Sequence, residues 1–455
     1  MSRELNAALA LVRTNDAQVT RQPDDAQALD DNCAEFNQKH ACVTVGANVR
    51  VLVVREDGYD LMRLQEFKAK YDNRTIRKGT RLINAAEAWW THQHRRTFDR
   101  IVFRPGESET DDGQFNMWRG FAVTAQSGSC QRYLDHLRNN IAQNDAQLYD
   151  WVLSWLANLV QHPMRKPGTA LILRGKQGVG KSIVGRPFAD ILGRRHYVTV
   201  ASDSLLTGRF NSHLEASLLV QMEEGFWAGN KAAESAIKHL VTGETQQIER
   251  KGVDSLEVPN FVRVLITSNA TWVVPAAAEE RRYAVLDVGS TCQQDAKYFA
   301  AICEELDNGG SAALLHFLLM YSYNFETIKR VPDTAALAEQ KRVTMDGPHS
   351  WLLDVLTAGN LPGEIGHGLS LNSALYDHYI TAATKLGIRH RSAETELGMM
   401  LHAMFPEIDP RRVVRDGGRV YVRQFPRLEV CRARFNEVTG VGIAFDDPTA
   451  DWGGR

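Results

Sequence analysis

Between residues 169 and 290, short apolar runs alternate with polar stretches of helical length. Residues 169–174, 217–224 and 261–269 each read as a buried strand, and the alternation is that of a parallel α/β core. The pattern differs on either side. Residues 43–54 alternate and predict two strands turning at Gly46-Ala47-Asn48, residues 82–90 a helix and residues 100–103 a strand. Leu148, Trp151, Val152, Trp155, Leu156 and Leu159 recur at helical spacing and predict a packed face. Residues 351–356, 371–383 and 393–404 predict three helices. Residues 413–422 then alternate about Asp416-Gly417, a hairpin signal, so three helices plus a hairpin suggest a winged helix. The expected order is a flexible segment 1–40, an α+β accessory domain 41–128, a helical collar 129–166, an α/β core 167–290, a helical connector 291–345, a winged-helix-like domain 346–440 and a tail 441–455. In the first segment Leu5, Leu9 and Val12 can line one helical face, but a frayed tail is the commoner outcome.

The core carries the most informative stretch, residues 175–182, which fits the phosphate-binding pattern G-x-x-x-x-G-K-[ST]. A strand precedes it, and residues 183–192 read as a helix with Gly193 as its cap. Gly175, Gly178, Val179 and Gly180 let the backbone wrap phosphates. Lys181 can reach the β- and γ-phosphates, and Ser182 can offer its hydroxyl to Mg2+. Some forty residues on, Glu223 and Glu224 end a strand, where one acid can hold the Mg2+ shell and the other can orient water. Asn269 ends the next buried strand, at the edge where open α/β sheets bind ligands. Between them residues 246–259 read as a hairpin with Arg250 and Lys251 at its tip, and Arg281-Arg282-Tyr283 follows about a dozen residues after Asn269.

Composition narrows this picture only slightly. A hydrophobic content of 44% with 24% charged residues is that of an ordinary globular chain, and no apolar run approaches the ~20 residues that a membrane span needs. The amino terminus opens no signal peptide, and none of the six cysteines forms a CxxC pair, so a reducing compartment is expected. A net charge of −2 neither marks nor excludes a nucleic-acid partner, since local patches make phosphate contacts. The cluster Trp90, His92, His94, Arg95, Arg96 and Phe98 is read chiefly as a solvated helix end.

Phosphate loop, paired acids, basic hairpin, strand ending in Asn and Arg-Arg-aromatic, in this order, resemble superfamily 3 helicases. The closest likeness is to the helicase portion of phage and plasmid primase-helicases. The resemblance implies an AAA+ P-loop NTPase core and an ATP- and Mg2+-dependent DNA helicase that hydrolyses ATP. It also implies a ring, typically a hexamer, moving 3′-to-5′ on single-stranded and forked DNA in a phage- or plasmid-bearing bacterial cytoplasm. On it, Lys181 and Ser182 bind phosphate and Mg2+, Glu223 holds metal and Glu224 activates water. Asn269 senses the γ-phosphate, Arg282 or Arg281 acts as a finger in the neighbouring subunit, and Arg250 and Lys251 grip DNA. Two departures stand out. Gln221 interrupts the acidic strand, and only about forty residues precede the likeness where fused relatives carry a primase or polymerase. The chain is therefore expected not to make primers or polymerise by itself: it is either a free-standing helicase, which could act with a separate primase or polymerase, or a segment of something larger. Two other readings remain: an initiator or loader that remodels DNA, and a nucleotide-gated scaffold for a primase or polymerase.

Overall fold

The structure, a computed structural model, describes residues 25–455 apart from 56–57, 108–112, 203–207, 209, 224–229, 251–254, 278, 367, 386–390, 409, 416–417, 446–450 and 453–455. Glu224 and Lys251 lie outside the described residues, as do Leu5, Leu9 and Val12. The chain forms two compact units: residues up to 121 with 193–195 and 247–258, and the remainder.

The first unit is built on β1 (His40–Val45), β2 (Asn48–Val54) and β3 (Tyr59–Met62), which are antiparallel neighbours. It also holds the short pair β4 (Thr75–Lys78) and β5 (Arg81–Asn84), β6 (Thr97–Phe98) alongside β1, and the pair β7 (Arg100–Val102) and β8 (Gln114–Asn116). Helices Asp25–Lys39, Leu64–Lys70 and Ala85–Trp90 meet through Phe36, Phe67 and Trp89, whose ring centroids lie 5.4–6.0 Å apart. The first helix begins inside the segment expected to be flexible. Burial of Cys33 and Phe36, and a two-pronged Arg74–Glu35 pair at 2.8–2.9 Å, hold it to the unit. Arg95 is also spent locally, over the Trp90 ring with its guanidinium carbon 4.4 Å from the centroid.

The second unit contains a parallel sheet of β9 (Ala170–Arg174), β10 (Tyr197–Val200), β11 (Leu219–Glu223), β14 (Arg263–Ser268) and β15 (Tyr283–Asp287), in the order β10-β11-β14-β9-β15. The hairpin strands β12 (Thr245–Ile248) and β13 (Leu256–Pro259) precede β14. Strands covered on both faces read as continuous apolar runs, and Leu171, Ile172, Val264, Leu265, Ala284 and Val285 are fully buried. The run of residues expected to follow the loop as one helix is divided. A 3-10 turn, Lys181–Val184, comes first. Helix Arg186–His196 follows, with Gly193 inside it at φ 69°. The break falls at Gly185, where a Cβ would stand 1.7 Å from Gln221 Oε1.

Helices Ala296–Glu305, Ser311–Met320 and Ala335–Thr344 fill the connector. Beyond it, helices Gly347–Ala358, Asn372–Lys385 and Glu394–Met404 pack with an antiparallel sheet of β16 (Leu369–Leu371), β17 (Arg411–Arg415) and β18 (Gly418–Gln424), in the order β16-β18-β17. Trp351, Tyr379, Phe405 and Phe435 form their core, Phe435 from the closing helix Leu428–Thr439. Among the described residues, no helix is long and apolar enough to cross a membrane.

One buried cation ties the sheet to the helix before it. Arg263, 1% exposed, donates to the carbonyls of Pro163, Phe261, His162 and Arg165 and to Asn158 Oδ1, at 2.5–3.0 Å. The carboxyl end of helix Ala146–Gln161 supplies the negative pole that makes this burial tolerable. Burial pulls the Arg263 pKa down to about 9, so it stays charged at neutral pH. Arg263→Leu should lower the stability of this unit by more than about 3 kcal/mol in urea unfolding, since it leaves several buried carbonyls unpaired. Nearby Lys166 donates to the Leu240 carbonyl at 3.0 Å, and burial with Arg263 beside it lowers its pKa to about 7. Between pH 7 and its ordinary value near 10.5 the unfolded chain binds a proton that the folded chain does not. Lys166 therefore makes stability rise with pH through that window. Lys166→Met should flatten this rise in unfolding midpoints measured from pH 7 to 10.

Candidate functional site

The site lies at the carboxyl edge of the parallel sheet, in the loop that leaves the inner strand β9. Gly178 and Gly180 have φ of +77° and +89°. A Cβ on Gly180 would come within 2.5 Å of Phe299 and 2.6 Å of His136, so both conformation and space require glycine there. The loop's carbonyls are all engaged. Gly175 O and Lys176 O each accept from Lys181 Nζ at 2.8 Å. Gln177 O accepts from Gln293 Nε2, Gly178 O from Gln294 N, Val179 O from Asn140 Nδ2 and Gly180 O from His136 Nε2, at 2.7–3.1 Å. In a trans peptide the following N–H points opposite to the carbonyl, so the N–H groups of residues 178–181 turn away from these braces.

The braces come from residues that the sequence pattern marked only as helical. His136 lies beside a π-helical turn, Leu137–Ile141, which also carries Asn140. His136 is fully buried, and burial lowers its pKa. The neutral ring must carry its proton on Nε2 to reach the Gly180 carbonyl, which leaves Nδ1 to accept from the Tyr298 hydroxyl at 3.1 Å. A second brace fixes the loop's origin. Arg174 and Asp287 are register partners on β9 and β15 and pair through two bonds of 2.6 and 2.8 Å, while Arg174 also donates to the Thr271 carbonyl. This pair lay at strand ends read only as strand, and its one sequence signal is an opposite charge on each.

Lys181 is 7% exposed, and its ammonium also donates to Asn269 Oδ1 at 2.6 Å. Gly178, Gly180, Lys181, Ser182, Glu223 and Asn269 line one cavity of about 480 Å3, within the range of nucleotide-sized pockets. Gln221, expected as a mere interruption, is buried. It accepts from Tyr197 and donates to Glu223 Oε1, each at 2.8 Å, and so aims that carboxylate. No group of three or more His, Cys, Asp or Glu that could hold a metal occurs among the described residues. A hard cation here would thus rest on Ser182, Glu223 and the ligand's own oxygens, as Mg2+ commonly does.

Three assigned residues fall elsewhere. Tyr283 pairs with Ala170 at the start of β9, so Arg281 and Arg282 sit at the opposite sheet edge from the cavity. Arg282 is held there by Glu280, through its N–H at 2.7 Å and its guanidinium at 3.8 Å. Arg250, expected at a hairpin tip that grips DNA, lies in the first unit. It bonds the Tyr59 hydroxyl, and its guanidinium carbon is 5.3 Å from that ring's centroid.

Residues 173–282 match a family of unknown function, DUF5906. A DNA primase-polymerase of Nitratiruptor phage NrS-1 is 24% identical over 225 residues, which is 48% of this chain and 30% of that protein's length. Two apo structures of the NrS-1 C-terminal region superpose with a TM-score of 0.65 at 17% identity. They cover 86% and 89% of this chain and 98% and 100% of those chains. At this identity the likeness is one of fold: mixed α/β, with helices and several sheets.

These findings set the chain beside the C-terminal region of a phage primase-polymerase and correct the superfamily 3 resemblance. The helicase and ATP-hydrolase readings fall with it, and so do the AAA+ and P-loop family assignments and the ring they implied. The glycine loop enters a four-residue 3-10 turn, and the two arginines stand at the far edge of the sheet.

Asn140→Ala and His136→Ala each free one loop carbonyl. Each should lower stability by about 1–3 kcal/mol and speed amide exchange in residues 175–182, read by mass spectrometry of peptides from this segment.

Proposed function

We propose that this chain is a nucleotide-gated module of a phage-type DNA-replication apparatus, acting with primase-polymerase chemistry. The observation that carries the reading is the buried Lys181 ammonium beside a braced glycine loop and an open cavity. Two carbonyls and the Asn269 amide oxygen accept from this ammonium. An anionic triphosphate oxygen would add ion-pair attraction to the hydrogen bond, and that attraction is strong where water is excluded.

In this reading the N–H groups of residues 178–181 and the Lys181 ammonium receive the phosphates of ATP or a related nucleoside triphosphate. Ser182 and Glu223 receive Mg2+, which neutralises phosphate charge. Gln221 keeps the Glu223 carboxylate aimed, and Asn269 exchanges its lysine for the terminal phosphate. The signal leaves through the braces: His136 and Asn140 report loop position to the collar, and Arg174–Asp287 reports it to the sheet edge. The match to a phage DNA primase-polymerase supports DNA as the partner and the bacterial cytoplasm as the place of action. The helices and hairpin of residues 346–440 correspond, in the same reading, to a winged-helix-like domain.

Mg2+–ATP should raise the thermal midpoint of the chain, by a gain approaching 2.7 kcal/mol at a hundredfold excess over Kd. Lys181→Ala should weaken binding at least tenfold in isothermal titration calorimetry, and Ser182→Ala should weaken it only when Mg2+ is present. A wild-type chain that shows neither heat nor shift with millimolar Mg2+–nucleotide contradicts the reading.

A further inference from the structure

The hairpin β17–β18 carries a second, separate surface. Arg412 pairs with Tyr421 and Val414 with Arg419, so these four side chains share one face. That face is open: Val414 is 76% exposed, Tyr421 is 48% exposed, and both arginines are exposed. Arg412 Nε donates to the Tyr421 hydroxyl at 2.7 Å, and its guanidinium carbon lies 5.0 Å from the ring centroid, so the ring is held in one orientation. Among the described residues no carboxylate pairs with Arg412 or Arg419. Other arginines of this region are spent inward: Arg423 on Asn372 and the Ile408 carbonyl, and Arg432 on the Leu356 carbonyl.

We infer that this face seats single-stranded DNA, with a base stacked on Tyr421 and Val414 and phosphates on Arg412 and Arg419. The inference rests on the replication reading above and names its DNA surface. An exposed aromatic with flanking cations is the chemistry that holds unpaired bases. Duplex entry through the neighbouring helix is disfavoured. Glu394–Met404 has Glu394 and Glu396 in its first turn and carries no lysine or arginine, so it would bring carboxylates toward phosphates. Charges alone would serve to guard the edge strand β17 against sheet extension. An exposed valine and a fixed tyrosine serve no such purpose, and their apolar area favours a ligand.

Fluorescence anisotropy with labelled oligothymidine and with a matching duplex tests this in the full chain. Tyr421→Ala should weaken oligothymidine binding roughly tenfold. The double variant Arg412→Ala, Arg419→Ala should reduce the slope of log K against log salt by about 1.4. Both substitutions are at exposed positions, and an unchanged thermal midpoint confirms that the fold is kept. Wild-type protein that binds oligothymidine while both variants bind equally well overturns the seat and leaves the replication reading standing. Tighter binding of duplex than of single strand also overturns the seat. Wild-type protein that binds no DNA overturns both, and nucleotide titration of the same sample reports separately on the glycine loop.

Discussion

A buried ammonium beside a glycine loop governs the parallel half of this molecule. Lys181 is almost wholly removed from water, and oxygens of Gly175, Lys176 and Asn269 accept hydrogen bonds from it. A desolvated charge is stable only if the groups that compensate it cannot drift. The rest of the region supplies that rigidity. His136 and Asn140 hold loop carbonyls from one side, residues 293–294 from another, and Arg174–Asp287 locks the strand ends from which the loop departs. Burial of the sheet on both faces is what lets these attachments act on one frame.

The same logic recurs at Arg263, a cation buried among carbonyls at the start of β14. Here the partners include the carboxyl end of a helix, and the group has no cavity beside it among those that adjoin the loop. Two buried cations with similar acceptors thus differ in what lies next to them. Arg263 is a fastening, whereas Lys181 lines an open cavity.

Much of this was legible in the sequence wherever one physical signal dominated. Continuous apolar runs gave the buried strands β9, β11 and β14, and the glycine-lysine-serine spacing gave the loop. Loop conformation follows from glycines that no other residue can replace, as the crowding at Gly180 illustrates. What could not be read was any contact between residues distant in the chain. His136 and Asn140 sit about forty residues from the loop they brace and were marked only as helical. Gln221 looked like an interruption of an apolar strand, yet its amide spans Tyr197 and Glu223. Arg250 was placed at a hairpin tip, and a hairpin pattern does not reveal its contact with Tyr59. Family resemblance failed for the same reason. The order of motifs is a property of the chain, while a finger arginine or a pore hairpin is a property of assembly, and Arg282 is engaged here with Glu280.

The central claim is that the loop of residues 175–182 is a preformed phosphate seat. Amide hydrogen exchange across this segment, with and without a saturating Mg2+–nucleoside triphosphate, tests it most directly. The account predicts slowed exchange at residues 178–181 with the triphosphate and unchanged exchange with the bare nucleoside. Identical exchange under all three conditions, at a nucleotide concentration that binds the chain, would contradict it.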